Sequence, residues 1–217
     1  MVKSKDFQCA TKSFTKRAAD LLILFCFAPV WVSASLVILF GIVLEQLISG
    51  DFGPPIISEI RISKGRKFRL YKLNMYKESA RKKYILESET YAKMETYAFL
   101  GQDTNSLRLV GRVMKKYYLD ELGQMVNIFL GQMSFVGPRP RLQMEAVSMD
   151  PPRQLLKSGY FCFAANQWKN EDHSNLGFHS DEEYLEIYLN SSTSELLKID
   201  LSIFLDGMKA VTKGKGK

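Results

Sequence analysis

The residues best suited to chemistry are two adjacent acids, Asp120 and Glu121, followed by two arginines, Arg139 and Arg141. The acids open a segment whose apolar residues recur at the spacing of one helix face, namely Leu122, Met125, Val126 and Phe129. This pattern predicts that Asp120 faces away from the buried side of the helix. The arginines follow on a stiff, proline-containing turn over residues 137–141. Acids near a helix start with arginines on a rigid loop are typical of a site for phosphates and a divalent cation.

The acid pair alone leaves a second interpretation open, a solvated helix start followed by a surface turn. The surrounding pattern is more specific. Residues 119–140 read LDEL-x-Q-x-x-N-x-x-x-G-x-M-S-x-V-GPRP. This motif resembles the core signature of the bacterial sugar transferases, the monotopic polyprenyl-phosphate phosphoglycosyl transferases. Weaker similarity to that family covers residues 16–211.

The resemblance implies a reaction, in which a phosphosugar passes from a UDP-sugar to polyprenyl phosphate. A carboxylate can attack phosphorus, and Asp120 is expected to be ionised at neutral pH. The residues do not decide which acid attacks; the resemblance implies that Asp120 forms a covalent aspartyl-phosphosugar intermediate, releasing UMP, with Glu121 assisting. Both acids are expected to contact Mg²⁺, which would offset the diphosphate charge. The expected substrate-binding residues are all basic: Arg61, Lys72, Arg112, Lys115, Lys116, Arg139 and Arg141.

The chain departs from the family pattern at several positions. Asn74 stands where the family usually has arginine, and Tyr118 replaces a serine or threonine that would be a good helix N-cap. Gly123 replaces a proline common at that helix start. Over residues 158–165, only Gly159 of the family's Pro-Gly-x-Thr-Gly-x-x-Gln loop is retained. These differences leave open a catalytically weakened relative that binds substrates without turnover.

Composition favours one domain with anionic partners. The chain has 217 residues, 46% of them hydrophobic, which is enough for a core. Its net charge of +7 fits phosphorylated substrates, acidic lipid head groups or nucleic acid. No nucleic-acid motif accompanies that charge, so no nucleic-acid partner is expected. Three cysteines without paired spacing indicate neither a disulfide framework nor a zinc site, and favour a reducing compartment.

An uncharged apolar run over residues 21–44 is long enough to span a bilayer. However, Pro29 removes a backbone hydrogen bond within it, and Ser33 and Ser35 are placed to satisfy the freed carbonyls. Basic residues are dense on both sides of the run, although positively charged flanks prefer the cytoplasm. We therefore predict a re-entrant hairpin broken at Pro29. The resemblance agrees, since the family breaks this helix at a Ser-Pro pair where this chain has Ala28 before the proline.

The rest of the chain has the pattern of a soluble domain. Residues 56–62 and 68–73 alternate like the strands of a β-hairpin. The final predicted helix is apolar enough either to pack on the core or to lie in the membrane interface. Residues 213–217 form a cationic tail suited to acidic lipid head groups. Helices are predicted over residues 76–98, 107–118, 182–189 and 194–211.

The predicted fold is an α-rich α/β protein, a small cytosolic domain with a β-hairpin and several amphipathic helices, anchored by an N-terminal re-entrant helix-break-helix. Its predicted divisions are a basic tail (residues 1–15), a membrane hairpin (16–50) and a catalytic domain with a basic tail (51–217). The resemblance implies a monotopic protein at the cytoplasmic face of the bacterial inner membrane, acting in the first membrane step of glycoconjugate assembly. A non-enzymatic single-span protein with a basic interaction domain stays the alternative.

Overall fold

The computed structural model describes residues 2–87, 100, 103–142, 151–162 and 176–213. Two long helices begin the chain, α1 (Val2–Cys26) and α2 (Ala28–Ser49). They are separated at Phe27, whose carbonyl accepts the first hydrogen bonds of α2. The apolar run is therefore built as two helices with a break, as the proline predicts.

The position of the break explains how the chain tolerates Pro29. The proline lies in the first turn of α2, where a missing backbone N–H costs little. Across the break, the indole nitrogen of Trp31 donates to the carbonyl of Leu24 at 3.2 Å. The hydroxyl of Ser35 instead donates to the Trp31 carbonyl within α2, at 2.7 Å. The carbonyl beside the break is thus satisfied by a tryptophan rather than by the predicted Ser35.

Within the described part of the chain, α2 is the helix that is long and apolar enough to cross a membrane, judged by length and composition. Most of its large apolar side chains are exposed, including Val30, Leu36, Val37, Phe40, Leu47 and Ile48. Such a surface is costly in water and favourable in hydrocarbon. The helix could therefore anchor the protein in a membrane.

Two small sheets follow the helical segment. Strands β1 (Ile56–Ser63) and β2 (Arg66–Leu73) form the predicted antiparallel hairpin, and β4 (Arg141–Leu142) pairs antiparallel with the other edge of β1. Strands β3 (Met133–Val136) and β5 (Ser158–Phe161) form a parallel pair. Residues 158–165 align with a loop in the family pattern, but their start, Ser158–Phe161, is a strand here.

Helices complete the domain. Of the predicted helix over residues 76–98, the structure describes α3 up to residue 87, and the remainder lies outside the described residues. The same is true of the tail beyond residue 213 and of residues 163–165. The helices are α3 (Glu78–Glu87), α4 (Leu109–Tyr117), α5 (Gln124–Phe129), α6 (Pro151–Leu155), α7 (Leu176–Asn190) and α8 (Thr193–Thr212), with 3₁₀ turns at Thr104–Ser106 and Leu119–Gly123.

Helix α8 packs on the core, which decides between its two predicted positions. Its buried apolar residues belong to the main cluster, while Leu201 and Leu205 on its outer side stay about half exposed. A capping box between Ser192 and Glu195 fixes its start. The main cluster joins both sheets to α1, α5, α7 and α8 through residues that include Leu24, Phe68, Leu70, Met125, Ile128, Phe135, Phe161, Tyr184, Ile203 and Phe204.

Polar contacts fasten α1 to the domain. The buried carboxylate of Asp20 accepts hydrogen bonds from the Ser134 hydroxyl at 3.0 Å and from the Phe135 backbone N–H at 2.9 Å. The ammonium of Lys12, also buried, donates to the carbonyl of Tyr188 at 2.7 Å. Buried charged hydrogen bonds of this kind are among the stronger ones. They hold the N-terminal helix in a fixed position relative to β3 and α7.

Candidate active site

The two acids lie on the 3₁₀ turn Leu119–Gly123, which we call the acid turn. Asp120 is only 8% exposed, so the prediction that it faces solvent is wrong. A 3₁₀ turn has three residues per turn rather than 3.6, so the helical spacing used to place Asp120 does not apply. The turn begins at Tyr118, whose φ of 56° is left-handed and which makes no side-chain cap.

The acid turn packs directly against strand β2, and Gly123 permits that approach. A Cβ atom at Gly123 would lie 2.7 Å from the carbonyl oxygen of Tyr71, closer than real side chains come. Four residues after Gly123, Asn127 fastens α5 to the same strand. Its side chain accepts from the Tyr71 N–H at 3.0 Å and donates to the Arg69 carbonyl at 2.6 Å. The motif's asparagine therefore has a structural role, since it holds the acid turn on β2.

Strand alternation brings three charged side chains to the face of the hairpin that also carries buried apolar residues. In the register, Ile57 lies opposite Lys72, Glu59 opposite Leu70, and Arg61 opposite Phe68. Residues paired in this way point to the same side of a sheet. Glu59, Arg61 and Lys72 therefore share one face with side chains that belong to the interior.

Glu59 is the functional residue that sequence reasoning missed. Its side chain is 3% exposed, and its carboxylate lies 2.5 Å from the guanidinium of Arg61 and 3.4 Å from the ammonium of Lys72. A buried carboxylate requires such partners. The alternation in β1 could have identified it. Glu59 is two residues from Ile57, and residues two apart in a strand share a face, so Glu59 lies on the apolar face of the strand.

The electrostatics of the site couple these charges to the acid turn. The pKa of Asp120 is raised to about 7, mainly by burial and then by the charge of Glu121, while the Lys72 ammonium opposes the shift. Burial also raises the pKa of Glu121, while Lys72 and Arg139 lower it. Glu59 raises the pKa of both acids. In the free protein Asp120 is therefore partly protonated at neutral pH, unlike the fully ionised acid expected from its ordinary value.

The structure brings together some predicted site residues and separates others. Lys72, Arg61 and Arg139 are the cations with the strongest effect on the acids, and Arg139 is exposed on its turn. Arg141 lies further along, in β4, opposite Ile62 of β1.

The three predicted basic residues lie on α4, which ends directly before the acid turn. Arg112 and Lys116 are exposed, and the Lys116 ammonium lies 5.2 Å from the ring centre of Tyr117. Lys115 is half-buried on the same helix. None of the three is among the strongest electrostatic partners of either acid within the described residues.

Two departures from the family pattern have clear structural places. Asn74 is fully buried; its amide donates to the Pro54 carbonyl at 2.8 Å and accepts from the Tyr76 N–H at 3.0 Å, so it is a structural residue. Tyr160 in β5 packs edge-on against Phe161, with ring centres 4.8 Å apart. Burial raises the pKa of the Tyr160 hydroxyl, and the charges of Glu121 and Asp120 raise it further, which places this residue beside the acids.

The retained Gly159 has a close-contact role. A Cβ atom there would lie 2.1 Å from the backbone nitrogen of Gly137. Gly137 begins the turn over residues 137–141, which we call the arginine turn. The Gly159 N–H donates to the carbonyl of Pro138 at 2.9 Å, and the Gly137 N–H donates to the carbonyl of Phe161 at 3.1 Å. Strand β5 is thereby joined to the turn that carries Arg139.

A divalent cation fits the chemistry of the acid turn. Over the described residues, no group of three or more His, Cys, Asp or Glu side chains forms a metal site of its own. Mg²⁺ is commonly bound by one or two carboxylates together with substrate phosphates. Asp120 and Glu121 are adjacent carboxylates whose pKa values are raised by burial, and in Asp120 by the neighbouring charge, so a nearby cation would stabilise their ionised forms.

Comparison with known proteins identifies the family of this chain. The family described as bacterial sugar transferase matches residues 11–214. Among similar proteins, the galactosyl transferase CpsE of Streptococcus agalactiae is 29% identical over 81% of this chain and 38% of its own length. The undecaprenyl-phosphate galactose phosphotransferase of Salmonella typhimurium is 30% identical over 58% of this chain and 26% of its own length.

A third relative is named for a different sugar. The UDP-N-acetylgalactosamine-undecaprenyl-phosphate N-acetylgalactosaminephosphotransferase of Aeromonas hydrophila is 33% identical over 59% of this chain and 26% of its own length. The chain thus spans well under half the length of these three relatives. Since the family match covers almost the whole chain, the protein belongs to the bacterial sugar transferase family.

Proposed function

We propose that this protein is a phosphoglycosyl transferase that moves a phosphosugar from a UDP-sugar to polyprenyl phosphate. The observation that carries the proposal is the buried acid turn, which lies against a cluster of cations from β1, β2 and the arginine turn. Relatives in the same family are named for transfer to undecaprenyl phosphate. A carboxylate beside cations is suited to displacement at a phosphorus atom whose oxygens carry negative charge.

In the first step, the Asp120 carboxylate attacks the phosphorus atom that carries the sugar. A bond forms between a carboxylate oxygen and that phosphorus, and the bond from phosphorus to the bridging oxygen breaks. The bridging oxygen and its electron pair leave with UMP. Lys72 and Arg139 are placed to neutralise the diphosphate oxygens, and Arg61 supports them from β1.

In the second step, a phosphate oxygen of polyprenyl phosphate attacks the same phosphorus. The bond from phosphorus to Asp120 breaks, and the free carboxylate is regenerated with a polyprenyl diphosphate sugar as product. Both steps require Asp120 in its ionised form, since a protonated carboxyl group is a poor nucleophile. Lys72, which would bind the substrate, therefore also favours the loss of the Asp120 proton.

Asp120 and Glu121 are the residues that would hold Mg²⁺. When bound, the ion would neutralise charge on the diphosphate and on the departing UMP. Glu121 is half-buried beside Asp120, and the ion would offset the repulsion between the two carboxylates.

We further propose that α1 and α2 form a re-entrant membrane hairpin at the cytoplasmic face of the inner membrane. The helix break at Phe27, the exposed apolar surface of α2 and the basic residues on both sides of the apolar run support this arrangement. The domain would then lie on the side from which it can reach both a soluble UDP-sugar and a lipid-linked acceptor.

The experiment that tests the function measures UMP release from a panel of UDP-sugars. Membranes that contain the protein are incubated with polyprenyl phosphate and Mg²⁺, with and without a chelator. We expect UMP release from at least one UDP-sugar, and its loss on chelation. A single-span protein that only recruits partners would release none, so the assay separates the enzyme from that alternative.

A further inference from the structure

A second cluster of cations surrounds a small cleft of about 30 Å³ between α1, the tip of the β-hairpin and the start of β5. It is separate from the acid turn. Lys64 follows the end of β1, five residues beyond Glu59, which corresponds to about 15 Å of extended strand. The cations that line the cleft are Lys16, Arg17, Lys64 and Lys157.

Two of these cations already have protein partners. The Lys16 ammonium forms an ion pair with Asp200 and donates to the Tyr184 hydroxyl at 2.9 Å. The Arg17 guanidinium donates to the backbone carbonyl of Ile128, at the end of α5, at 2.5 Å. These contacts fix the direction of both side chains, so the wall of the cleft formed by α1 is rigid.

The other two cations, Lys64 and Lys157, form no ion pair with any carboxylate in the described ranges. The carboxylate in the cleft belongs to Asp20, whose hydrogen bonds go to Ser134 and Phe135. Four cations therefore meet two engaged carboxylates, Asp20 in the cleft and Asp200 as the partner of Lys16. Like charges gathered in this way cost free energy unless an anion joins them.

The heads of two of these cations lie close together beside Gly131, at the end of α5. A carbon atom placed at the Cβ position of Gly131 would lie 3.6 Å from the Arg17 guanidinium and 3.7 Å from the Lys157 ammonium. Burial lowers the pKa of Lys157, and the nearby charges of Arg17, Lys64 and Lys16 lower it as well. The charge of Asp20 opposes this shift and does not cancel it, so Lys157 lies among more positive than negative charge.

We infer that this cleft binds a phosphate group, and that the source of that group is the head group of an anionic membrane lipid. The volume is about twice what one water molecule needs, which suits a single phosphate group rather than a nucleotide. Several guanidinium and ammonium donors around one small space are the usual recognition elements for phosphate.

The lipid source follows from the place of the cleft along α1 and rests on the membrane location proposed above. Arg17 lies five residues before Leu22, the first exposed large apolar side chain of the uncharged run, although Phe14 is also exposed on the other side of Arg17. That separation is about 7.5 Å along the axis. If the apolar run lies in the bilayer, the cleft lies at the level of the lipid head groups.

The test uses the full-length protein purified in detergent, without any UDP-sugar. Its thermal unfolding is followed while inorganic phosphate is added at constant ionic strength with chloride, and in parallel while phosphatidylglycerol or phosphatidylcholine is added to the micelles. A ligand that binds the folded state raises the unfolding temperature. We expect inorganic phosphate and phosphatidylglycerol to raise it, and phosphatidylcholine to have a much smaller effect.

The variant for this test combines Lys64→Asn with Lys157→Gln. Asparagine suits the left-handed backbone of Lys64, whose φ is 49°, so the hairpin turn is kept. Losing two charged hydrogen bonds is expected to weaken the apparent affinity for phosphatidylglycerol at least about tenfold. Lys209→Gln is the matched control, since Lys209 is 70% exposed on α8 and pairs with Asp206.

Each outcome decides the inference. A loss in the double variant with a normal response in the control supports the site, whereas equal responses of the two overturn it. A response to inorganic phosphate without one to phosphatidylglycerol overturns the lipid source. If the double variant does not fold, Lys64→Asn alone is expected to show a smaller loss of the same kind. Asp120→Asn is expected to respond like the wild type, so this result is independent of the proposed catalysis.

Discussion

The carboxylate of Glu59 lies 3.4 Å from the ammonium of Lys72, the cation that most strongly opposes the raised pKa of Asp120. Glu59 is therefore a third acid at the site, and it contacts the lysine that favours the ionised form of Asp120. It holds Lys72 in place, and its own negative charge raises the pKa of Asp120 and Glu121. Glu59 thus holds Lys72 and adds to the raised pKa of both acids, after the larger effect of burial.

Glu59→Gln is expected to shift the pH dependence of UMP release toward lower pH. The substitution removes a charge that raises the pKa of both acids, so Asp120 ionises more readily. The loss of charged partners for Arg61 is expected to lower the free energy of unfolding by about 1–3 kcal/mol. The measurement is kcat/KM for the UDP-sugar from pH 5 to pH 9 in wild type and variant. An unchanged profile in a folded variant would show that Glu59 has no influence on the acids.

Asp120 itself is expected to make the stability of the free protein fall as pH rises. Its folded-state pKa of about 7 is above the ordinary value of 3.8, so the folded protein holds a proton that the unfolded chain releases. This contribution is fully present below pH 3.8 and is lost as the pH rises through about 7. Its size is on the order of a few kcal/mol. Urea unfolding without Mg²⁺ at pH 5 and pH 8 measures it, and Asp120→Asn should flatten the dependence.

Tyr160 is expected to govern selectivity among UDP-sugars. It is half-buried, it directly follows the retained Gly159 of the family's loop, and the charges of both acids raise the pKa of its hydroxyl. Tyr160→Ala should change the ratio of kcat/KM between UDP-galactose and UDP-N-acetylgalactosamine by about tenfold, the scale of one apolar contact. Tyr160→Phe keeps the ring and should retain the ratio. The same ratio in all three proteins would mean that β5 has a structural role only.

The helix break predicts the membrane topology. Tags placed at the N-terminus and after residue 217 are both expected to lie in the cytoplasm, so a membrane-impermeant reagent should label them only after intact spheroplasts are lysed. Pro29→Leu restores a backbone N–H in the first turn of α2 and is expected to favour one continuous helix, which moves the N-terminal tag toward the far side. Labelling of the N-terminal tag in intact spheroplasts of the wild-type protein would contradict the re-entrant arrangement.

Local patterns predicted the hairpin well, because alternation and β-branched residues over 56–62 are properties of the strand itself. The helix break followed from Pro29 in the same way. The burial of Asp120 could not be predicted, since it depends on the contact between Gly123 and Tyr71, which are 52 positions apart in the chain. Long-range packing of this kind leaves no periodic signal in either segment.

The basic residues show the same limit. Arg112, Lys115 and Lys116 follow each other on one amphipathic helix that leads into the acids, so local reasoning grouped them with the site. The left-handed backbone at Tyr118 ends that helix and redirects the chain. Glu59, more than fifty residues upstream, reaches the acids through the pairing of β1 with β2, a contact that no local pattern predicts.

The central claim is that Asp120 forms a covalent bond to the phosphosugar, and intact-protein mass spectrometry tests it most directly. Wild-type protein, incubated with a UDP-sugar that it consumes and with Mg²⁺ but no lipid acceptor, should gain the mass of one phosphosugar and release UMP. Folded Asp120→Asn should do neither, since the amide keeps the shape and lacks the nucleophilic charge, while Glu121→Gln should still form the adduct slowly. An adduct on Asp120→Asn, or phosphosugar transfer by that variant at the wild-type rate, would contradict the mechanism.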